Sequence, residues 1–292
     1  MKEIKRLDLF DLTQKFGLEI ESEDFVFKPQ DTTPNRHSEP HRSEMYSIGI
    51  VLTGHAVLKV GLDSYAVQAP GVVAVSPDQI RQWILDQNDL TSISLFFTED
   101  FVVSGLSDTL FLKNLDLFKR KRNNFIPVDP EQLAPIKMLF DQIEIRKASN
   151  SPTKNTVIQA LLRVLLLEAN GLQQNQTKES SDKYSQSYQL TEKFKELLAK
   201  DFRKQREVSY YADKLFVTPK HLSQALKDQT GKTASELIEE IVCLEAKVLL
   251  QVHELNVSEI ADQLNFANPS FFGKFFKRYT GISPMEYRKS IS

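Results

Sequence analysis

Short hydrophobic segments of alternating polarity dominate the chain between about residues 46 and 97. In the first of them, Tyr46, Ile48 and Ile50 alternate with smaller or more polar residues, which is the period of a β-strand. The segments occupy residues 46–52, 56–60, 65–67, 72–75, 82–85 and 91–97. Turn-forming sequences such as Pro70-Gly71 separate them. Many short strands at close spacing predict a β-sandwich or a small barrel.

The spacing of the apolar positions changes to that of a helix after residue 129. Residues 130–147 and 153–170 are predicted helices, and the second is apolar over more than one stripe, at Val157, Ile158, Leu161, Leu162, Val164, Leu165 and Leu166. We therefore expect this helix to pack on the sheet and also on a second subunit. Residues 171–187, rich in Gln, Asn, Ser, Thr and Lys, predict a linker, after which the pattern is helical throughout.

Two segments near the C-terminus repeat one pattern. Residues 212–227 read ADKLFVTPKHLSQALK, and residues 261–277 read ADQLNFANPSFFGKFFK. Each begins Ala-Asp-x-Leu, reaches a capping residue followed by proline, and is followed by Thr-Gly, while the second has one additional residue in its turn. This self-similarity predicts two copies of one unit, each with a short helix, a tight turn and a longer helix.

Capping residues define the ends of the longer helices. Thr218 and Asn268 can accept hydrogen bonds from the first free amides, and the proline after each costs no backbone hydrogen bond there. Gly231 and Gly281 are predicted to end the helices, where a left-handed residue is favoured. In the second turn, Asn265 is predicted to adopt a positive φ, which Asn tolerates better than most residues.

The longer helix of each copy has one apolar face and one polar face in the same register. The apolar faces carry Leu222, Ala225 and Leu226 in the first copy, and Phe272, Phe275, Phe276 and Tyr279 in the second. Such helices suit the major groove, where polar tips reach base edges and lysines meet phosphates. A predicted connector helix over residues 233–250 would fix the two helices about 34 Å apart, in adjacent major grooves.

Composition and charge permit this interpretation without requiring it. The net charge is −2, and from residue 188 onward there are 16 Lys and Arg against 14 Asp and Glu, so the C-terminal part is only mildly basic. The single Cys243 allows no disulfide within one chain and fits a reducing cytoplasm, where we expect the protein to act. Neither a signal peptide nor a membrane-spanning segment is predicted, so no membrane partner is expected.

The C-terminal region resembles the AraC/XylS-type transcription regulators of bacteria between about Tyr211 and Arg288. The residues that carry this resemblance are Ala246-Lys247, Leu249-Leu250, Ile260-Ala261, Phe266, Ser270, Phe272, Phe276-Lys277, Gly281, Ser283-Pro284 and Tyr287-Arg288. The chain departs from the family at three positions, with Asn265 for the usual Gly, and Lys274 and Val242 for the usual Arg. Because Lys lacks the bidentate fork of Arg, we expect a different base preference at Lys274.

The helix faces and the resemblance together assign the DNA contacts. They are Thr218, Lys220, His221, Ser223, Gln224 and Lys227 in the first copy, and Asn268, Pro269, Ser270, Gly273, Lys274 and Lys277 in the second. The expected partner is double-stranded DNA, with RNA polymerase as a further partner and a homodimer as the assembly.

The N-terminal half resembles the cupin-like sensor domain of many such regulators, in residues 40–54 and 70–77. The resemblance implies a small-molecule effector, for which the candidate pocket residues are Phe27, Tyr46, Tyr65, Arg81 and Trp83. The predicted fold is α+β: a cupin-like β-barrel with flanking helices over residues 1–170, the linker over 171–187, and an all-α DNA-binding domain with two helix-turn-helix units over 188–292.

Catalytic and metal-binding functions were weighed against this interpretation. His37, His41 and Glu44 could contribute metal ligands, but Ser43 and Arg81 stand where cupin metal sites have further histidines. We therefore predict no metal, no cofactor, no catalytic residue and no enzymatic activity. The alternative function is a cupin-type enzyme or small-molecule carrier with a helical appendage that binds proteins, and the detailed repeat favours the regulator.

Overall fold

A computed structural model describes residues 24–31, 39–77, 79–85, 90–119, 123–180 and 186–291 of the 292-residue chain. The chain divides into two compact units, and the division falls between residues 181 and 182. The first unit combines strands and helices, and the second is helical, so the fold is α+β as predicted. No helix in these parts of the chain combines the length and the apolar composition needed to cross a membrane.

Eight antiparallel strands in the described part of the first unit form two sheets. The strands are β1 (Phe25–Asp31), β2 (Tyr46–Thr53), β3 (His55–Val60), β4 (Asp63–Gln68), β5 (Gly71–Val75), β6 (Arg81–Ile84), β7 (Thr91–Phe97) and β8 (Phe125–Pro127). One sheet has the order β1-β7-β2-β5-β8 and the other the order β4-β3-β6. The six strands from β2 to β7 correspond to the predicted alternating segments, whereas β1 and β8 lie outside them and complete the edges of the larger sheet.

The two faces of the larger sheet contact different partners, because successive residues of a strand point to opposite sides. Ile48, Ile50 and Leu95 belong to a core that includes the helices of this unit. Val51, Val73 and Val75 pack instead with apolar residues of β3 and β4 from the smaller sheet. The larger sheet therefore has helices on one side and the smaller sheet on the other.

The described residues of the first unit also form four helices and one 3₁₀ turn. They are α1 (Glu99–Val103), α2 (Phe111–Asn114), the turn at Asp116–Phe118, α3 (Pro130–Lys147) and α4 (Lys154–Ser180). A reciprocal capping box between Asp129 and Gln132, with proline at the first position, begins α3 where the sequence predicts it. Phe140 of α3 and Leu162 of α4 are fully buried in the core beneath the sheet.

Helix α4 is longer than the sequence predicts. It continues to Ser180 through residues that we predicted to be linker from Gly171 onward. The segment has no proline, and its Gln and Lys residues are good helix formers, so little opposes the continuation. Gln173 is also buried, which ties the first part of the extension to the unit. Polar composition was thus a poor indicator of a flexible connection here.

Seven helices form the described part of the second unit. They are α5 (Gln186–Asp201), α6 (Val208–Lys214), α7 (Pro219–Thr230), α8 (Ala234–Leu250), α9 (Val257–Gln263), α10 (Pro269–Thr280) and α11 (Pro284–Ile291). Near its start, Phe194 and Tyr211 pack edge to face with ring centroids 5.4 Å apart. Near its end, the core combines α8, α9, α10 and α11 around Phe272 and Phe276. Helix α8 corresponds to the predicted connector.

Candidate DNA interface

Two helix-turn-helix units, α6 with α7 and α9 with α10, have the same turn geometry. In the first, the amides of Phe216 and Val217 donate to the carbonyls of Asp213 and Ala212, at 3.2 and 3.0 Å. In the second, the amides of Asn265 and Phe266 make the equivalent bonds to Asp262 and Ala261, at 3.0 and 2.9 Å. This is a Schellman end, in which the residue after the helix is left-handed.

The left-handed residues are Phe216, with φ 58°, and Asn265, with φ 54°. The positive φ of Asn265 is as predicted. The positive φ of Phe216 was missed, because a bulky residue rarely takes this conformation. The only sign of it in the sequence is that Phe216 occupies the position equivalent to Asn265. Its side chain is also 94% exposed, so no packing of the ring compensates for the backbone strain.

Both long helices begin and end at the predicted residues. Thr218 accepts from the amide of His221, and Asn268 accepts from that of Phe271, at 3.2 and 3.0 Å. Gly231 and Gly281 end α7 and α10 with φ of 75° and 85°.

The structural repeat extends beyond the Thr-Gly that ends the sequence repeat. Thr233 with Glu236 caps α8, and Ser283 with Glu286 makes the matching pair of hydrogen bonds at the start of α11. The backbone amides that donate to these two carboxylates lower the pKa of Glu236 and that of Glu286. Each copy is therefore a longer unit than the sequence comparison indicated, and it ends in the cap of the following helix.

The predicted DNA-contacting residues share one property, which is accessibility. Ten of them are exposed: Thr218, Lys220, His221, Gln224, Lys227, Asn268, Pro269, Ser270, Lys274 and Lys277. The other two, Ser223 and Gly273, are half-buried and occupy equivalent positions four residues after the helix-starting prolines. The opposite faces are buried at Leu222, Ala225 and Leu226, and at Phe272 and Phe276. Both helices thus bury one face and present the other, as their sequences predict.

The aromatic stripe of α10 is less completely buried than we predicted. Phe275 is only half-buried and Tyr279 is exposed, since the core beneath α10 closes around Phe272 and Phe276. Phe271, which we did not predict to be functional, is 57% exposed at the start of the helix. A shallow groove beside it is lined by Phe266, Lys274 and Arg278 among other residues. The second copy therefore combines aromatic and cationic side chains at its surface.

The two copies differ in charge at one equivalent position near the end of the long helix. Asp228 of α7 accepts a hydrogen bond from Gln224 at 2.7 Å, and Arg278 occupies the matching position of α10. Arg278 forms an exposed ion pair with Glu239 of α8, 2.6 Å between Nη2 and Oε1. The solvent face of α10 is consequently more cationic than that of α7.

The loop between α5 and α6 contacts both the connector and the second copy. Arg203 forms an ion pair with the fully buried Glu245 of α8, 2.7 Å between Nη2 and Oε1. Arg206 donates to the carbonyl oxygen of Leu264, and its guanidinium lies 3.9 Å from the centroid of the Phe266 ring. These residues were missed because partners 42 and 58 positions apart in sequence leave no local pattern. Arg203 therefore ties this loop to the connector helix, and Arg206 ties it directly to the second copy.

The candidate effector residues of the first unit do not lie together. Arg81 and Trp83 line a cleft between the two sheets. Phe27 and Tyr46 lie on the other face of the larger sheet, in the core shared with the helices, and do not line this cleft. Tyr65 packs at the edge of the inter-sheet core and approaches Asn124, 3.4 Å from hydroxyl to Oδ1. On β1 it is Lys28, the neighbour of Phe27, that faces the cleft, as the alternation of a strand requires.

Metal ligands do not converge in the described parts of the chain. Among those residues, no group of three or more His, Cys, Asp or Glu is placed to hold a metal ion. His37, one of the weighed candidates, lies outside them. His41 pairs through its backbone with Arg81, and its Nδ1 lies 3.3 Å from the carbonyl oxygen of Glu39.

Known proteins resemble the second unit most clearly. Residues 211–290 match a family model described as a helix-turn-helix domain, so the region with the two copies is a domain of this type. An uncharacterized transcriptional regulatory protein, YesN of Bacillus subtilis strain 168, is 34% identical over 79 residues, which are 26% of this chain and 22% of YesN.

Further resemblances cover more of the chain at lower identity. The transcriptional activator RhaR of Escherichia coli K12 is 24% identical over 156 residues, 53% of this chain and 54% of RhaR. The crystal structure of ToxT from Vibrio cholerae O395 aligns with 91% of this chain and 98% of that one, at 17% identity and a TM-score of 0.42. The chain thus spans about half of the length of RhaR and about a fifth of that of YesN.

Proposed function

We propose that this chain, which carries a C-terminal helix-turn-helix domain of the AraC/XylS type, is a transcription regulator that binds double-stranded DNA at specific sequences. Its two recognition helices are α7 and α10, and each enters the major groove with its exposed face. The matched domain and the transcription regulators that resemble it support this assignment.

One observation carries the proposal: two helices of equal length, with equivalent caps and ends, expose equivalent faces of polar, cationic and small residues. Lys220 and Lys227 of α7, and Lys274 and Lys277 of α10, are suited to phosphates or to guanine edges. Ser223 and Gly273 at the centre of each face allow a close approach to the bases, because neither side chain is large.

The spacing of the two helices is the second part of the proposal. Helix α8 and the ion pair between Arg203 and Glu245 both restrict how the copies can move relative to one another. A restricted pair that binds one face of a duplex has its recognition helices about one helical turn, roughly 34 Å, apart. We therefore expect a binding site with two short recognition sequences in adjacent major grooves.

The test is binding of the purified full chain to fragments of its own upstream DNA at two salt concentrations, beside Lys220→Ala and Lys274→Ala. Each substitution removes one cation from one recognition helix, so the slope of log affinity against log salt should fall by about 1. Lys193→Ala provides the matched control, because Lys193 is exposed on α5 and belongs to neither recognition helix.

Selective binding that both recognition-helix variants weaken, with Lys193→Ala unchanged, is the expected result. Selective binding weakened by only one of them would contradict the two-helix arrangement. Equal affinity for unrelated DNA of the same length would contradict sequence-specific recognition itself.

We further propose that the first unit makes the protein a homodimer and senses a small molecule, which changes the arrangement of the two DNA-binding domains in the dimer. An apolar stripe on α4, with Val164 and Leu167 exposed and Leu161 half-buried, supports the dimer, since exposed apolar faces of this kind commonly mark subunit contacts. Leu167→Glu should convert a dimer to a monomer in sedimentation analysis, and Glu131→Gln, at an exposed position near the start of α3, should not. A wild-type chain that sediments as a monomer would refute this part.

A further inference from the structure

The cleft between the two sheets of the first unit is lined by both apolar and polar residues. The larger sheet contributes Ser47, Ser92 and Ser94, and the smaller sheet contributes Arg81 and Trp83. The cavity has a volume of about 50 Å³, which is enough for a few water molecules or for the head group of a small ligand.

A glycine keeps part of this cleft open. A Cβ added to Gly49 would lie 2.8 Å from the carbonyl oxygen of Ile93 and 2.8 Å from Oγ of Ser94. Any larger residue would therefore displace β7 or the Ser94 hydroxyl. The absence of a side chain at Gly49 leaves that hydroxyl at the cleft wall.

Arg81 is the unusual residue of the cleft, because it is a charged group that is only 4% exposed. Its Nη1 donates to Oγ of Ser47 at 2.7 Å, and its guanidinium carbon lies 5.7 Å from the centroid of the Phe96 ring. Its Nη2 is buried and has no hydrogen-bond partner among the residues that the structure describes. Burial lowers the pKa of Arg81 to about 10, so the group remains charged at neutral pH.

A buried cation with an unused donor is costly unless a partner arrives. The described residues that line the cleft include no Asp or Glu, and the other titratable ones, Lys28 and His41, are bases. The described lining residues therefore offer no negatively charged side chain to pair with the Arg81 guanidinium. An oxyanion placed in the cleft would accept from Nη2 and would gain from the same low-dielectric surroundings.

We propose that this cleft binds a small organic carboxylate, with the carboxylate on Arg81 and its apolar part against Val73 and Trp83. Val51, Val73, Val75 and Trp83 on the same walls suit the apolar part of an organic acid, which inorganic phosphate lacks. This inference rests on the proposed function, since the carboxylate would be the effector of the regulator.

The test uses Trp83, which is the only tryptophan of the chain and lines the cleft. Its fluorescence in the full-length protein is followed during titration with propionate, with the neutral isostere propionamide, or with inorganic phosphate, at constant ionic strength. We expect a saturable change with propionate and none with propionamide or phosphate. Arg81→Met should abolish the change, Arg81→Lys should weaken binding at least about tenfold, and Lys59→Met on β3 should leave it intact.

A second measurement does not depend on the choice of probe. Replacing a buried, incompletely paired charge by an apolar side chain of similar length removes a destabilising feature of the ligand-free protein. Arg81→Met should therefore raise the midpoint of thermal unfolding in the absence of anions. A large decrease instead would mean that Arg81 is a satisfied structural residue and would overturn the inference.

Three further outcomes would overturn it: an equal response to propionamide, a response to phosphate alone, or a propionate response that survives Arg81→Met. DNA binding measured on the same preparations separates this inference from the proposed function. Selective DNA binding without any carboxylate response would remove only the carboxylate site. A carboxylate response through Arg81 without selective DNA binding would leave the site and refute the regulator.

Discussion

The two helix-turn-helix copies have the same backbone conformation, down to equivalent hydrogen bonds in their turns. Their side chains nevertheless differ in size and in charge. The first copy buries small aliphatic residues beneath α7 and balances its surface lysines with Asp228. The second buries Phe272 and Phe276 beneath α10 and carries Arg278 at the position of Asp228. Caps and left-handed residues therefore fix the geometry of each copy, while the remaining positions can vary its stability and its charge.

The largest expected effect comes from substitutions that create a cavity in the core of one copy or the other. Phe276 is fully buried against Phe272 and Tyr287, with ring centroids at 5.9 and 5.5 Å, and Phe276→Ala should cost about 4 kcal/mol. Leu226→Ala at the equivalent position should cost about 3 kcal/mol, because a smaller volume is lost. Denaturant unfolding of the full chain measures both free energies, with exposed Lys277→Ala as the control.

A cost for Phe276→Ala no greater than that for Leu226→Ala would contradict the idea that aromatic packing distinguishes the second copy. A cost below about 1 kcal/mol for both would mean that neither face is buried as described.

The next effect concerns the ion pair between the loop before the first copy and the connector helix. Arg203→Ala removes the ion pair with the fully buried Glu245, which should reduce the free energy of unfolding by about 3 kcal/mol. Affinity for DNA with both recognition sequences should fall more than affinity for a fragment with one, because only two-site binding needs a fixed spacing.

The double variant Arg203→Met with Glu245→Met provides the control for Arg203→Ala. It removes both charges and should recover much of the stability, since a buried pair replaced by apolar residues is often neutral. Equal losses of affinity on one-site and two-site DNA would show that Arg203 does not position the copies.

Much of what the two copies share could be predicted from the sequence, because helix ends depend on the residues next to them in the chain. Thr218 and Asn268 precede prolines, and Gly231 and Gly281 follow the last apolar positions, so the ends of both long helices could be located. Arg206 could not be predicted, since its partners Leu264 and Phe266 lie close only after the chain has folded.

The pocket of the first unit was predicted only in part, for a reason of register. Arg81 and Trp83, two of the candidate effector residues, line the cleft. Phe27 and Tyr46 were chosen for their chemistry alone, without the knowledge of which sheet face each strand position occupies. A shift of one residue along a strand moves a side chain to the opposite face, which is why Lys28 and not Phe27 reaches the cleft.

A smaller effect is expected from exchanging the charges that differ between the copies. Asp228→Arg adds a cation to the solvent face of α7 and releases Gln224, so DNA affinity should rise and its salt slope should steepen by about 1. Arg278→Asp should have the opposite effect in the second copy. Asp213→Arg, exposed on α6, is the control, and an equal gain from it would indicate general attraction to DNA instead of a contact by α7.

The smallest effect tests the turns themselves. Phe216 and Asn265 hold the same left-handed conformation, but an aromatic residue is strained there, whereas Asn tolerates it. Because the Phe216 ring is 94% exposed and loses no packing, Phe216→Gly should raise the free energy of unfolding by about 1 kcal/mol. Asn265→Gly should change it by less than about 0.5 kcal/mol, in thermal or denaturant unfolding.

Phe216→Ala separates backbone strain from the loss of the ring, because Ala lacks the ring and keeps the Cβ that disfavours positive φ. If Ala stabilised the protein as much as Gly, exposure of the ring and not the backbone would be the cause. If Phe216→Gly stabilised the fold and weakened DNA binding together, the strained residue would be retained for function, as strained positions at functional sites often are. If Phe216→Gly stabilised the fold and left DNA binding unchanged, Phe216 would contribute neither to recognition nor to stability. Asn, as at position 265, would then be the more favourable residue for this turn.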